Sequence, residues 1–293
     1  MKKLLMIALL VLSGCSSKPQ EKQTLKIGVM PAVDSAPIFL AQELGIFEEL
    51  GLDIEIEVYT SAMDRQSALQ AGELDGAMTD VIALVNNVGN GFDIKVTTST
   101  DGAFPILYHE GALEKDAVTV GMMEVSVSNY LADAFLKDYT INKEYIVEIP
   151  ARLEMVGNGT LDMAVIPEPM ASMGALNGLS KELMANPDEF SPEVMVFNTK
   201  SIDSKEKEIK LFHDGYNKAV EMINESQTQA REVLVNKLEL NPVIVNNFEL
   251  PHYNVARIPS EDYFNKIIKW NEDVLGASFD LEYAQLVDDR FVK

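Results

Sequence analysis

Apolar and polar positions alternate where the body of the chain begins. Leu25, Ile27 and Val29 are separated by Lys26 and Gly28, a period of two that predicts a strand ended by Met30-Pro31. Ser35-Ala36-Pro37 opens a helix over Ile38 to Leu44, with Pro37 suited to its first turn and Gly45 to its end. Ile46 to Leu50 reads as a further helical turn closed by Gly51. Ile54, Ile56 and Val58 then alternate with Asp53, Glu55 and Glu57, a half-buried strand with an acidic face. A helix over Ala62 to Ala71, a strand over Gly76 to Met78, a helix over Asp80 to Asn87 and a strand over Ile94 to Thr98 complete the series. That β-α-β-α-β-α-β order favours an open, mostly parallel sheet with right-handed crossovers.

The pattern then repeats. Gly72-Glu73-Leu74-Asp75-Gly76-Ala77 matches Gly159-Thr160-Leu161-Asp162-Met163-Ala164 at Gly, Leu, Asp and Ala. Each copy follows a helical segment, Arg65 to Ala71 or Arg152 to Val156, and leads into a short apolar strand. A second α/β lobe is expected over 104–192, with strands at Val118 to Val120 and Tyr145 to Val147 and a helix over Ser128 to Lys137. After Val194 to Phe197 the pattern turns helical: Lys205 to Asn224, Thr228 to Lys237, Pro242 to Phe248 and Ser260 to Val274. Those helices are expected to return to the first lobe, 25–103 with 193–293. The chain then crosses between lobes twice, near Thr100 to Phe104 and near Pro192 to Thr199. A double crossing is a hinge with a cleft between two doubly wound lobes.

Ahead of this body, Lys2 and Lys3 precede an apolar run from Leu4 to Leu12, the length of a signal-peptide core and too short to span a bilayer. Leu12-Ser13-Gly14-Cys15 resembles a bacterial lipobox. Residues 1–14 are then a cleaved signal, Cys15 carries the lipid, and 15–24 is a polar tether on the extracytoplasmic face of the membrane. The chain's 46 Asp and Glu outnumber its 24 Lys and Arg. That excess argues against a nucleic-acid partner and against adhesion to an anionic membrane except through the lipid. A single Cys excludes a disulfide framework and a thiolate zinc site, and the three His lie far apart, so no metal is expected.

In open α/β sheets ligands bind beyond the carboxyl ends of the strands. The loops there carry Asp34, Ser35, Phe39, Ser61, Thr79, Asp80, Thr100, Ser128, Asn129 and Glu168, taken as ligand-binding candidates. The competing reading is that Asp34, Ser61, Asp80 and Ser128 cap the helices that follow. Arg65 and Arg152 are the only nearby cations, each within a helix and free to face solvent. Asp34, Asp80 and Glu168 with Phe39, Phe104 and Tyr108 suit a neutral or cationic ligand, such as a flat heterocycle stacked on a ring. Met63, Met78 and Met170 lie near the same loop ends. The chain lacks a Gly-x-Ser-x-Gly elbow, His-Glu-x-x-His, a Walker A loop and Gly-x-Gly-x-x-Gly, so neither an enzyme nor a cofactor is expected.

Leu25 to Val29 leading to Ala36-Pro37-Ile38-Phe39-Leu40-Ala41, then Leu44 to Phe47, Gly51 to Ile54, Gly72 to Asp75 and Leu161 to Pro169, resembles the type 2 periplasmic binding proteins. The similarity is to the branch serving ABC importers of aliphatic sulfonates, taurine, nitrate and thiamine-pyrimidine precursors. It covers Leu25 to Asn177 and the helical tail by class. Pro167 stands where many relatives carry an aromatic residue. The resemblance implies a monomeric solute-binding lipoprotein that closes on a small molecule and delivers it to a permease and its ATPase. The alternatives are a ligand-sensing lipoprotein, a component of a sulfonate or taurine importer, and an enzyme on the same scaffold.

Overall fold

The structure is a computed structural model that describes residues 23–185, 191–248 and 250–292. The signal segment, Cys15 and the tether up to residue 22 lie outside the described residues. Ten strands run in chain order as β1 (Leu25–Val29), β2 (Ile54–Val58), β3 (Gly76–Asp80), β4 (Ile94–Ser99), β5 (Pro105–Tyr108), β6 (Ala117–Met122), β7 (Thr140–Tyr145), β8 (Met163–Val165), β9 (Ser180–Leu183) and β10 (Glu193–Asn198). They form two five-stranded sheets, ordered β2-β1-β3-β10-β4 and β7-β6-β8-β5-β9. The two orders are the same pattern, with β1 corresponding to β6, β3 to β8 and β10 to β5.

Each sheet is mixed. β1 is parallel to β2 and β3, and β6 is parallel to β7 and β8, as the alternating order predicts. β10 runs antiparallel to both β3 and β4, and β5 antiparallel to both β8 and β9. β5 enters its sheet straight from the other lobe through 100–104, with no crossover helix to reverse its direction, and β10 begins where the chain has returned to the first sheet. β10 begins at Glu193, so most of the span Pro192 to Thr199 expected for the second crossing is already strand of the first sheet. The first is at 100–104. The strand expected at Tyr145 to Val147 ends at Tyr145, because Ile149-Pro150 already opens the helix Ile149–Gly157.

The repeated turn builds the same device in both lobes. Gly72 and Gly159 have φ of 75° and 79°, the left-handed region that glycine takes at no steric cost. Asp75 accepts from the Lys26 N–H at 2.8 Å, and Asp162 from the Thr119 N–H at 2.9 Å. Each aspartate also pairs with a lysine, Lys205 at 2.6 Å and Lys115 at 2.5 Å. Leu74 and Leu161, one residue earlier, are buried against Gly28 of β1 and Gly121 of β6.

The C-terminal helices cover the first sheet. Glu206–Glu225 and Thr228–Lys237 pack on Ala36–Glu43, and Ile209, Phe212, Tyr216 and Leu234 are buried there with Phe39 and Phe47. Glu261–Trp270 packs on Val81–Gly89 of the same lobe. Its last residue also reaches the second lobe, where the Trp270 indole N–H donates to Asp133 at 3.0 Å. No helix among the described residues is long and apolar enough to cross a membrane.

Close sheet packing gives a direct stability prediction. A Cβ on Gly76 would stand 2.4 Å from the Phe197 ring and 2.6 Å from the Val196 carbonyl oxygen, whereas one on Gly111 would meet nothing within 4 Å. Gly76→Ala is expected to cost about 1–3 kcal/mol in urea denaturation, and Gly111→Ala to stay within about 0.5 kcal/mol of the parent.

Candidate functional site

The carboxyl ends of the strands face one another across a cavity of about 510 Å³ lined from both lobes. Asp34, Arg65, Thr79 and Asp80 come from the first lobe, Ser126, Ser128 and Arg152 from the second, and Glu193 from the start of β10. Met30, Met63, Met78, Phe104, Met123 and Ile149 supply an apolar surface. One end runs on as a groove between Ala62–Ala71 and Val81–Gly89, lined by Gln66, Gln70, Asn86, Asn87 and Asn90. There Gln66 and Gln70 both donate to the Asn87 amide oxygen, at 2.9 and 3.2 Å.

The two arginines are buried, at 6% and 4% exposure, which corrects the solvent-facing expectation. Arg65 donates to the Thr79 hydroxyl at 3.1 Å and Arg152 to the Val165 carbonyl at 2.8 Å. The Nε of each is buried without a hydrogen-bond partner among the described residues. Strand glycines make the room. A Cβ on Gly28 would stand 3.2 Å from Arg65 Cγ, and one on Gly121 3.6 Å from Arg152 Cγ. Burial lowers both pKa values, Arg152 to about 10, with Asp80 and Asp34 opposing the shift at Arg65 and Glu148 opposing it at Arg152. Both side chains keep their charge at neutral pH.

The acids respond in the opposite sense. Burial pushes Asp34 up to about 7, against its hydrogen-bonded backbone N–H groups and Arg65. Burial raises Asp80 as well, although the Ala83 N–H donates to it at 2.8 Å and the Val127 N–H of the second lobe faces it. Glu193 is held well above its usual range by burial and then by the charge of Asp34. Oxygens Oδ1 of Asp34 and Oε1 of Glu193 are buried without hydrogen-bond partners among the described residues.

Four of the ten candidates, Asp34, Thr79, Asp80 and Ser128, line this cavity. Ser35 instead donates to the Met30 carbonyl at 2.7 Å, and Phe39 sits in the core at 1% exposure, out of stacking reach. Ser61 caps Ala62–Ala71 by accepting from the Asp64 N–H at 3.2 Å. The cap of Val127–Phe135 is Ser126, and Ser128 accepts from the Met123 N–H at 3.0 Å. Thr100 is buried in the first crossing. Asn129 donates to the Glu124 carbonyl and accepts from Lys143, both at 2.7 Å. Glu168 lies on another face, ion-paired with Lys181 at 2.5 Å and accepting from Ser172. Met63 and Met78 line the cavity, as their places near the loop ends suggest, while Met170 does not. The sequence reading passed over Glu193 and the two arginines. The arginines carried a signal, since each stands seven residues before the glycine of its repeat copy. No cluster of three or more His, Cys, Asp or Glu among the described residues is arranged to hold a metal ion.

Comparison with known proteins agrees with this geometry. Residues 18–149 match the NMT1-like family. The fold is that of a ligand-binding component of an ABC-type import system from Staphylococcus aureus, solved with zinc bound. That likeness has a TM-score of 0.78 and 16% identity over 92% of this chain and 97% of that one. The periplasmic aliphatic sulphonate binding protein SsuA from Escherichia coli superposes with a TM-score of 0.75 at 14% identity over 90% and 97%. The periplasmic nitrate-binding protein NrtA from Synechocystis PCC 6803 gives 0.66 at 13% over 83% and 75%. A stretch of 58 residues, 20% of this chain, is 34% identical to the nitrate import ATP-binding protein NrtC of Synechococcus elongatus and spans 9% of that relative's length. The chain has the type 2 periplasmic-binding-protein fold.

Asp34 makes folding sensitive to pH. It keeps its proton up to about pH 7 in the folded chain and up to about 3.9 when unfolded, so the folded state binds more protons between those values. Its contribution is full below about pH 4 and is lost as pH rises to about 7, at most about 4 kcal/mol. Asp34→Asn is expected to reduce the loss of stability between pH 4.5 and 7.5 by at least about 1 kcal/mol in urea denaturation. An equal loss in both chains would contradict the assignment.

Proposed function

We infer that this chain is the extracytoplasmic substrate-binding component of an ABC import system. The observation that carries the reading is the pair of buried arginines, one from each lobe, on a shared cavity in a type 2 periplasmic-binding-protein fold. A ligand that satisfies both lobes favours their closed arrangement over the open one, and the closed form is what a permease with its ATPase then recognises. Cys15 holds the chain to the membrane by its lipid, and the body acts as a monomer. The site supplies positioned charge and no activated nucleophile, which suits binding and release over turnover.

The ligand that fits is a small organic molecule with an anionic group. Buried, charged guanidinium groups gain most from an anion that supplies their missing partner. The likeness to sulphonate- and nitrate-binding proteins favours an anionic group as well. A flat heterocycle such as a thiamine pyrimidine precursor is the second reading. It is favoured by Phe104 in the cavity wall and by the unpartnered carboxyl oxygens of Asp34 and Glu193.

A thermal-shift screen of the body from Ser16 onward separates these readings. Ethanesulfonate, taurine, nitrate and the thiamine pyrimidine are the probes. Saturation at 100 times the dissociation constant adds about 2.7 kcal/mol, a rise of roughly 5 °C or more for a chain of this size. Arg65→Gln and Arg152→Met are expected to weaken binding of an anionic probe by about tenfold to a hundredfold each. Arg152→Met is expected to leave the ligand-free midpoint unchanged or higher, because it removes a buried charge. A response to the pyrimidine alone, indifferent to both arginines, would select the heterocycle. In cells, Cys15→Ser should move the chain from the membrane fraction to the soluble extracytoplasmic fraction. Retention on the membrane would refute the anchor.

A further inference from the structure

The two crossings between the lobes converge on one buried side chain. Glu193 opens β10 directly after the second crossing, pairs with Asp80 of β3 and is 3% exposed. Its backbone carbonyl accepts from the Thr100 N–H, in the first crossing, at 2.9 Å. Its Oε2 accepts from the Ser191 hydroxyl, and that hydroxyl oxygen accepts from the Gly102 N–H at 3.3 Å. Gly102 leaves no space for anything larger, since a Cβ there would stand 2.8 Å from Oε2. One oxygen of a single carboxyl is therefore tied to both connectors. The other, Oε1, is buried without a hydrogen-bond partner among the described residues, and Glu193 lines the cavity.

Lobes that rotate about two connectors must change backbone angles within those connectors. A group bonded to both connectors and set in the cavity wall, with one oxygen still lacking a partner, senses the ligand and the rotation together. We propose that Glu193 is the ligand-reading residue of the hinge: a hydrogen-bond donor on the bound molecule engages Oε1, and Ser191 and Gly102 carry that engagement to both connectors. The proposal rests on the cavity being the ligand site and adds a direction to the ligand. Asp34 and Asp80 flank Glu193, so the hinge wall takes a donor such as an amine, amide or hydroxyl. The anionic end turns to the side where Arg152 enters from the second lobe. The other charged group facing this wall is Arg65, which lies beside both aspartates and compensates them.

Two probes that differ in one donor test this on the full body. Ethanesulfonate offers an anion alone, and 2-aminoethanesulfonate offers the same anion with an ammonium group. The wild-type chain is expected to bind the amino compound at least tenfold more tightly by isothermal titration, and Glu193→Met, which keeps the volume and removes the acceptor oxygen, to bring the two within threefold. Ser191→Ala is expected to retain the preference yet to lose the ligand-induced slowing of amide hydrogen exchange at residues 100–104. Equal affinity of the two probes for the wild-type chain, or a preference that survives Glu193→Met, overturns the proposal. If neither probe binds, the anionic-ligand reading fails, and exchange in the ligand-free chain decides Glu193. Glu193→Ala must then raise exchange at Thr100 and Gly102 at least tenfold, and unchanged exchange rejects the role.

Discussion

A guanidinium group buried over a strand glycine, once in each lobe, is the constraint around which this molecule is arranged. Taking such a charge out of water costs several kcal/mol unless hydrogen bonds and opposite charge compensate it. The fold compensates the two unequally. Arg65 has the Thr79 hydroxyl and two acids, Asp80 and Asp34, whereas Arg152 has the Val165 carbonyl and one acid, Glu148. The charge of the second lobe is thus the less neutralised of the two. In the proposed binding role, an anion that reaches Arg152 would supply the opposite charge that its own lobe leaves out, which would link occupancy to closure.

Holding an arginine there requires the rest of the lobe. Glycine in β1 and β6 leaves space beside the strand, and Leu74 or Leu161 fills what the arginine stem does not. The leucine is set by the Gly-x-Leu-Asp turn, whose aspartate locks the next strand to the backbone of its neighbour at Lys26 or Thr119. That turn is pinned by a lysine from elsewhere in the chain, Lys205 or Lys115. Strand order repeats in step, so the corresponding loops of the two lobes face each other. The antiparallel strands β5 and β10 begin beside the cleft because each starts where the chain has just crossed over.

Much of this was legible before any coordinates. Period-two and helical patterns located most of the elements: the edge strand β2 alternates because one face is covered, and β1 alternates because Gly28 is small where Leu74 and Arg65 pack on its second face. The two-copy turn was legible because its glycine, leucine and aspartate serve purely local geometry. The arginines were misjudged for a physical reason: a helix near its sheet has a core face and a cleft face, and one helical period does not tell the cleft face from solvent. Their matching distance from the repeat glycines was the better guide, because equivalent positions in two similar lobes share an orientation. Glu168 could not be placed by local pattern, as its partner Lys181 lies on β9 beyond a helix and a turn. Glu193 was hidden for a related reason. It resembles any acid at the edge of a strand until the chain's return makes it a buried member of the cleft.

A net −22 on the chain opposes an anionic ligand at long range. Distance resolves the conflict. At physiological ionic strength a surface charge is screened beyond about 8 Å, so acids on the outer faces act weakly inside a closed cleft. Within the cavity the balance is set by a few groups. Burial raises the pKa values of Asp34, Asp80 and Glu193, which weakens their hold on a proton-free, negative form, and Arg152, lowered only to about 10, stays positive at neutral pH. The interior of an acidic protein thereby acquires a positive end at Arg152 and a hydrogen-bonding end at Glu193. On the proposed function, a molecule carrying an anion at one end and a donor at the other would meet Arg152 of the second lobe and Glu193 of the hinge in a single orientation.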